Sequence, residues 1–133
     1  MDTAQLQSYF EQSQGTGILS TADADGRVNA ALYARPRFFE DGLIGLIMLD
    51  RLSHHNLQSN DWAAYLFLEQ GEGYRGLRLH LRKVREECNS PLLAELLAQR
   101  GKSLSTKEDR FLVLFRVEQV LPLVTAAADS AHA

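Results

Sequence analysis

The chain has 133 residues, 45% of them hydrophobic and 23% charged, with a net charge of −3 at neutral pH. This is the composition of one ordinary globular domain that buries roughly two thirds of its unfolded surface. It excludes a disordered or fibrous chain, and the weak negative charge gives no general attraction to nucleic acid or anionic lipid.

Asp2 with Gln5 reads as a capping box, and Leu6, Tyr9 and Phe10 form an apolar stripe at helical spacing, so a helix is expected to run to about Gln14. An extended segment, Ile18 to Ala22, leads into Asp23-Ala24-Asp25-Gly26, a hairpin turn. The next strand starts near Arg27 and stops or bends at Pro36, because proline has no N–H for a ladder. Phe38-Phe39 is expected to resume it before Glu40-Asp41-Gly42 turns the chain into a third, apolar strand, Leu43 to Leu49.

A short helix is expected over Arg51 to Asn60, then an apolar strand, Trp62 to Leu68, and a flexible link, Glu69 to Gly73. Leu77, Leu79 and Leu81 alternate with Arg78, His80 and Arg82, giving a strand with one dry and one basic face. Ser90-Pro91 opens a helix with a leucine stripe that Gly101 ends. The last strand runs from Arg110 to Val117, with a possible extension to Val124, and the small, polar tail 125–133 is expected to fray.

Six strands with hairpin turns and a few helices indicate a mainly β fold, an antiparallel sheet closing into a small barrel, in a single domain over 1–133. The third, fourth and sixth strands are apolar on both faces, so helices or a second copy of the chain must cover them, and a homodimer is expected. The lone cysteine, Cys88, excludes an intrachain disulfide, and no apolar run reaches membrane-spanning length. With no signal-peptide pattern at Met1 to Phe10, the expected setting is cytoplasmic.

The segment Arg51-Leu52-Ser53-His54-His55-Asn56-Leu57 carries the clearest chemistry. A serine at a helix start, backed by unpaired N–H groups and an arginine, is suited to a phosphate. Ser53 reads equally as a plain N-cap and Arg51 as a solvated charge. His54 and His55 lack partners at metal-ligand spacing, so no metal is expected. Arg78, His80 and Arg82 with Tyr74 suit a nucleic acid, although pairing with Glu69, Glu72, Glu86 and Glu87 is the commoner outcome for such a face. Trp62 reads as core or interface, and Cys88, beside Glu86 and Glu87, is not placed as a nucleophile.

The order Gly17-Ile-Leu-Ser-Thr strand with its Asp25-Gly26 turn, Tyr33-Ala34-Arg35-Pro36, apolar strand, Arg51-Leu52-Ser53-His54 with Asn56-Leu57, Ala64-Tyr65-Leu66-Phe67 and Gly73-Tyr74-Arg75-Gly76 resembles the pyridoxamine 5′-phosphate oxidase-related, FMN-binding split-barrel proteins. The resemblance covers roughly residues 15–87 and implies a six-stranded antiparallel split β-barrel that binds FMN. It implies a phosphate site at Arg51 and Ser53, with His54 close by and Asn56 bracing the turn. The flavin ring would lie along Tyr33, Ala34 and Arg35, with Met48 on the adjacent strand. It further implies a homodimer with FMN between subunits, in which Arg78 reaches the partner's cofactor.

The oxidases of that family favour an Arg-Lys pair where this chain has Ser53 and His54, and they carry a C-terminal segment where this chain turns Ala-rich. Oxidation of pyridoxamine phosphate itself is therefore not expected. The expected function is a flavin-dependent oxidoreductase of unidentified substrate, with no general acid or base assigned. The rivals are a non-catalytic FMN carrier or redox sensor and a cofactor-free interaction or nucleic-acid module.

Overall fold

A computed structural model describes residues 1–124; the tail 125–133, expected to fray, lies outside them. The elements in chain order are α1 (Thr3–Gln12), β1 (Gly15–Ala22), β2 (Val28–Tyr33), β3 (Arg37–Phe38), β4 (Ile44–Leu49), α2 (Leu52–Ser59), β5 (Trp62–Glu69), β6 (Gly76–Cys88), α3 (Pro91–Ala98) and β7 (Arg110–Pro122).

All seven strands belong to one antiparallel sheet in the order β2-β1-β5-β6-β7-β4-β3. The terminal strands β2 and β3 are not paired to each other, yet Leu19, Ile44, Leu46, Tyr65, Phe67, Leu79 and Phe115 meet in one core, so the sheet curls into an open barrel. Register shifts on β6 at His80/Leu81 and Lys83/Arg85 supply the local bend that such curling needs.

Among the described residues the strand count is seven rather than the expected six. Phe38 does not resume β2: buried Pro36 ends the ladder with β1, and the chain crosses the barrel opening so that Arg37 and Phe38 pair with Gly45 and Ile44. The two halves of the expected second strand thus become the two opposite edges of the sheet.

The helices follow local chemistry. The Asp2–Gln5 capping box starts α1, which closes one end of the barrel with buried Leu6 and Phe10. Ser90 caps α3 ahead of Pro91, and Leu93, Leu96 and Leu97 cover Leu112 and Leu114, with Ile47 packed against them. That explains two of the three strands that are apolar on both faces. The outer face of β1, β2 and β5 has no such cover among the described residues: Val28 is 82% exposed, Leu32 74% and Trp62 50%.

Candidate functional site

The β2 strand and the first turn of α2 meet beside the barrel opening, and most of the expected site residues lie there. β2 has β1 on one side only, so half of its backbone groups point to an open edge. At its end the Tyr33 hydroxyl lies near the Ser53 side chain; burial raises its pKa and Ser53 partly offsets this. The Ala34 carbonyl accepts from the Tyr65 hydroxyl at 3.0 Å. Arg35 donates to the carbonyls of Phe10 and Ser13 at 2.9 and 2.6 Å, fixing the end of α1 against β2.

The foot of α2 differs from the sequence expectation in one respect. Ser53 is not the N-cap: Arg51 holds that position without a side-chain cap bond, while Ser53 is buried two residues further on, in the first turn, near Tyr33. The first intrahelical N–H is that of His55, to the Arg51 carbonyl, so the backbone N–H groups of Leu52, Ser53 and His54 are free of helical partners. Arg51 is not a purely solvated charge; it pairs with Glu108.

His54 is buried and stacked on Phe111, with ring centroids 3.7 Å apart. Its Nδ1 lies 2.9 Å from Asp50 and its Nε2 2.8 Å from Glu86, so neither nitrogen is left for a ligand. Partial burial works to raise the Glu86 carboxyl, but hydrogen bonds from Gln58, His54 and Lys83 overcome it and hold its pKa at about 2. Lys83 also donates to the Leu57 carbonyl at 3.0 Å, at the end of α2. Asn56 braces α2 against β1 through Thr21, both side chains being buried.

Met48 and Arg78 stand apart from this group. Met48 is enclosed in the barrel core. Arg78 lies on the outer face of β6, three strands from β2, where it donates to the Pro122 carbonyl. On the basic face of β6, Arg82 lies over the Trp62 ring, and Glu86 serves His54 and Lys83. Trp62 itself is on the surface rather than in the core. Among the described residues no group of His, Cys, Asp and Glu is arranged for a metal, and no helix is long and apolar enough to cross a membrane. Desolvation and the carboxylates of Asp109, Glu86 and Asp50 raise the Cys88 thiol pKa, which disfavours a thiolate nucleophile.

Sequence reasoning missed three features. Gly17 leaves the space through which Tyr65 reaches Ala34. Glu108 neutralises Arg51. A cleft of about 840 Å³ lies not at α2 but between α1, the segment after β2 and the end of α3, lined by Phe10, Arg35, Arg37, Phe39, Gln99 and Arg100 among others. Each joins residues far apart in the chain, for which no local pattern exists.

No family model and no curated protein matches this chain. Solved structures do. An FMN-binding protein from Syntrophomonas wolfei is similar over 93% of this chain and 87% of its own, at 15% identity and a TM-score of 0.73. HutZ from Vibrio cholerae, a heme storage protein, matches over 92% and 96% at 19% identity and 0.65. HupZ from Group A Streptococcus matches over 96% and 98% at 18% identity and 0.66. The chain therefore has the fold of the FMN-binding split barrels, at low sequence identity.

Proposed function

We propose that this protein is an FMN-binding flavoprotein that transfers electrons or hydride between the flavin and a small substrate. The observation that carries this reading is the junction of the open β2 edge with the uncapped first turn of α2, where the Tyr33 and Ser53 side chains come together. One end offers free N–H groups and a guanidinium, suited to a phosphate; the other offers unpaired strand backbone beside Ala34 and Arg35, suited to the polar edge of a flat ring. The donor set fits FMN, with one qualification: Asp50, Glu86 and Glu108 surround Arg51 and His54, so the phosphate relies on backbone N–H groups more than on net positive charge.

When bound, FMN supplies the redox chemistry. Leu52, Ser53 and His54 hold the phosphate through backbone N–H groups, with Arg51 shared between it and Glu108. Tyr33, Ala34 and Arg35 orient the ring, and Tyr65 fixes the Ala34 carbonyl so that the rail does not shift. Met48 acts from beneath, as part of the core that keeps β4 in place.

A homodimer belongs to the same reading. The exposed apolar face of Val28, Leu32, Leu68 and Trp62 has no cover among the described residues and is flanked by the β6 row of Arg78 and Arg82. A second copy seated there removes the apolar face from water and brings its Arg78 toward the β2 edge. Titrating the protein with FMN and riboflavin, then following reduction of the bound flavin by NADH or NADPH, tests the proposal. Tight FMN uptake with turnover supports an enzyme, uptake without reduction makes the chain a carrier, and no uptake refutes both.

A further inference from the structure

We propose that the cleft between α1, the β2–β3 connection and α3 is an oxyanion site that takes the carboxylate or phosphate of a small substrate. Three guanidinium groups line it: Arg35 from the end of β2, Arg37 from β3 and Arg100 just beyond α3. Arg27, Arg51, Arg85 and Arg116 each pair with a carboxylate, whereas Arg35, Arg37 and Arg100 form no ion pair among the described residues. Among the described residues the single carboxylate on the cleft wall is Glu11 of α1.

Arg37 points most directly to a ligand. Its terminal nitrogen donates to the Gln99 side chain at 3.2 Å, but its Nε is buried and has no partner. A buried charged donor without an acceptor costs more than an ordinary missing hydrogen bond, so such a group calls for an ion. Desolvation, followed by the nearby charge of Arg100, lowers the Arg37 pKa, and an anion between the two guanidinium groups relieves both effects.

The fold builds this site from distant parts. Pro36 turns the chain away from β1, so that Arg35 and Arg37 fall on either side of the crossing. The Arg35 bonds to the α1 carbonyls hold one wall. Gly45 has no β-carbon, which would stand 2.8 Å from the Phe39 ring, and so lets Phe39 form part of the apolar wall. At about 840 Å³ the cleft has room for a small molecule with an apolar body and one anionic end. The cleft adjoins Ala34 and Arg35, the ring end of the flavin site. Its role as the substrate end of a redox centre rests on the flavin reading, whereas anion binding does not.

Calorimetric titration with inorganic phosphate and, separately, benzoate at low salt tests the proposal. At least one probe is expected to bind, and its identity tells phosphate from carboxylate. Arg37→Gln and Arg100→Gln are each expected to weaken that probe at least tenfold, Arg116→Gln to leave it unchanged, and Arg100→Gln to leave FMN affinity within twofold. Arg100 is exposed, so its variant remains informative if Arg37→Gln fails to fold. No binding of either probe at about 10 mM, or equal binding by Arg100→Gln and wild type, overturns the site. Loss of FMN in Arg100→Gln but not in Arg51→Ala overturns the substrate assignment, since the cleft would then hold the flavin phosphate. Phosphate or benzoate binding here by a protein that takes up no FMN refutes the flavin reading and leaves the anion site standing.

Discussion

Gly17 and Tyr65 occupy one space: a β-carbon at Gly17 would stand 2.0 Å from the Tyr65 hydroxyl and 2.6 Å from the Tyr33 carbonyl. Tyr65 is fully buried and cannot swing aside, so Gly17→Ala displaces it, breaks its bond to Ala34 and strains β2. A loss of about 3 kcal/mol is expected in urea denaturation. Tyr65→Phe keeps the packing and loses only the hydrogen bond, for about 1 kcal/mol. Equal stability of Gly17→Ala and wild type contradicts this packing.

The foot of α2 makes a separable prediction. Arg51→Ala removes the one guanidinium beside the free N–H groups, so FMN affinity should fall about tenfold while riboflavin affinity stays level. Adding Ser53→Ala also removes the side chain beside Tyr33, and the further loss should then extend to riboflavin because the end of the ring rail is altered. Parallel losses of both flavins in Arg51→Ala would place the phosphate elsewhere.

Glu86 predicts an acid limb. Its carboxyl is held at about 2 in the folded chain against an ordinary value of 4.5, so its stabilising effect is complete above pH 4.5 and is lost as pH falls toward 2. Glu86→Gln should be less stable at pH 7 by on the order of 1 kcal/mol, after allowance for partial exposure. Its melting temperature should also vary less than wild type between pH 4.5 and 2. Parallel pH curves for the two proteins would show that Glu86 is not coupled to folding.

Much of the local structure was legible in the sequence because its causes are local. The Asp2–Gln5 box, the Asp23–Gly26 turn, the Ser90-Pro91 start and the alternation of Leu77, Leu79 and Leu81 are each decided within a few residues. The destination of Arg37-Phe38 was not legible, because Pro36 announces an interruption without saying which strand the chain joins next. The site was readable to the same depth. Residues 51–56 marked the foot of α2, but the partners Glu108 for Arg51 and Glu86 for His54, and Tyr33 as the neighbour of Ser53, come from other elements.

The uncovered sheet face gives a prediction about assembly. Val28→Asp with Leu32→Glu places two charges on the face proposed to meet a second copy, and both side chains are exposed in the single chain. The variant should sediment as a folded monomer where the wild type is expected to sediment as a dimer, with FMN affinity reduced in step. A wild type that is monomeric with FMN bound would show that one chain suffices for the cofactor.

Flavin binding is decided first by the visible absorbance spectrum of the purified protein, with an FMN titration if it is colourless. Oxidised-flavin bands and a stoichiometry of about one FMN per chain are expected. An intense heme band in their place, or a colourless protein that takes up no FMN at micromolar concentration, would contradict it.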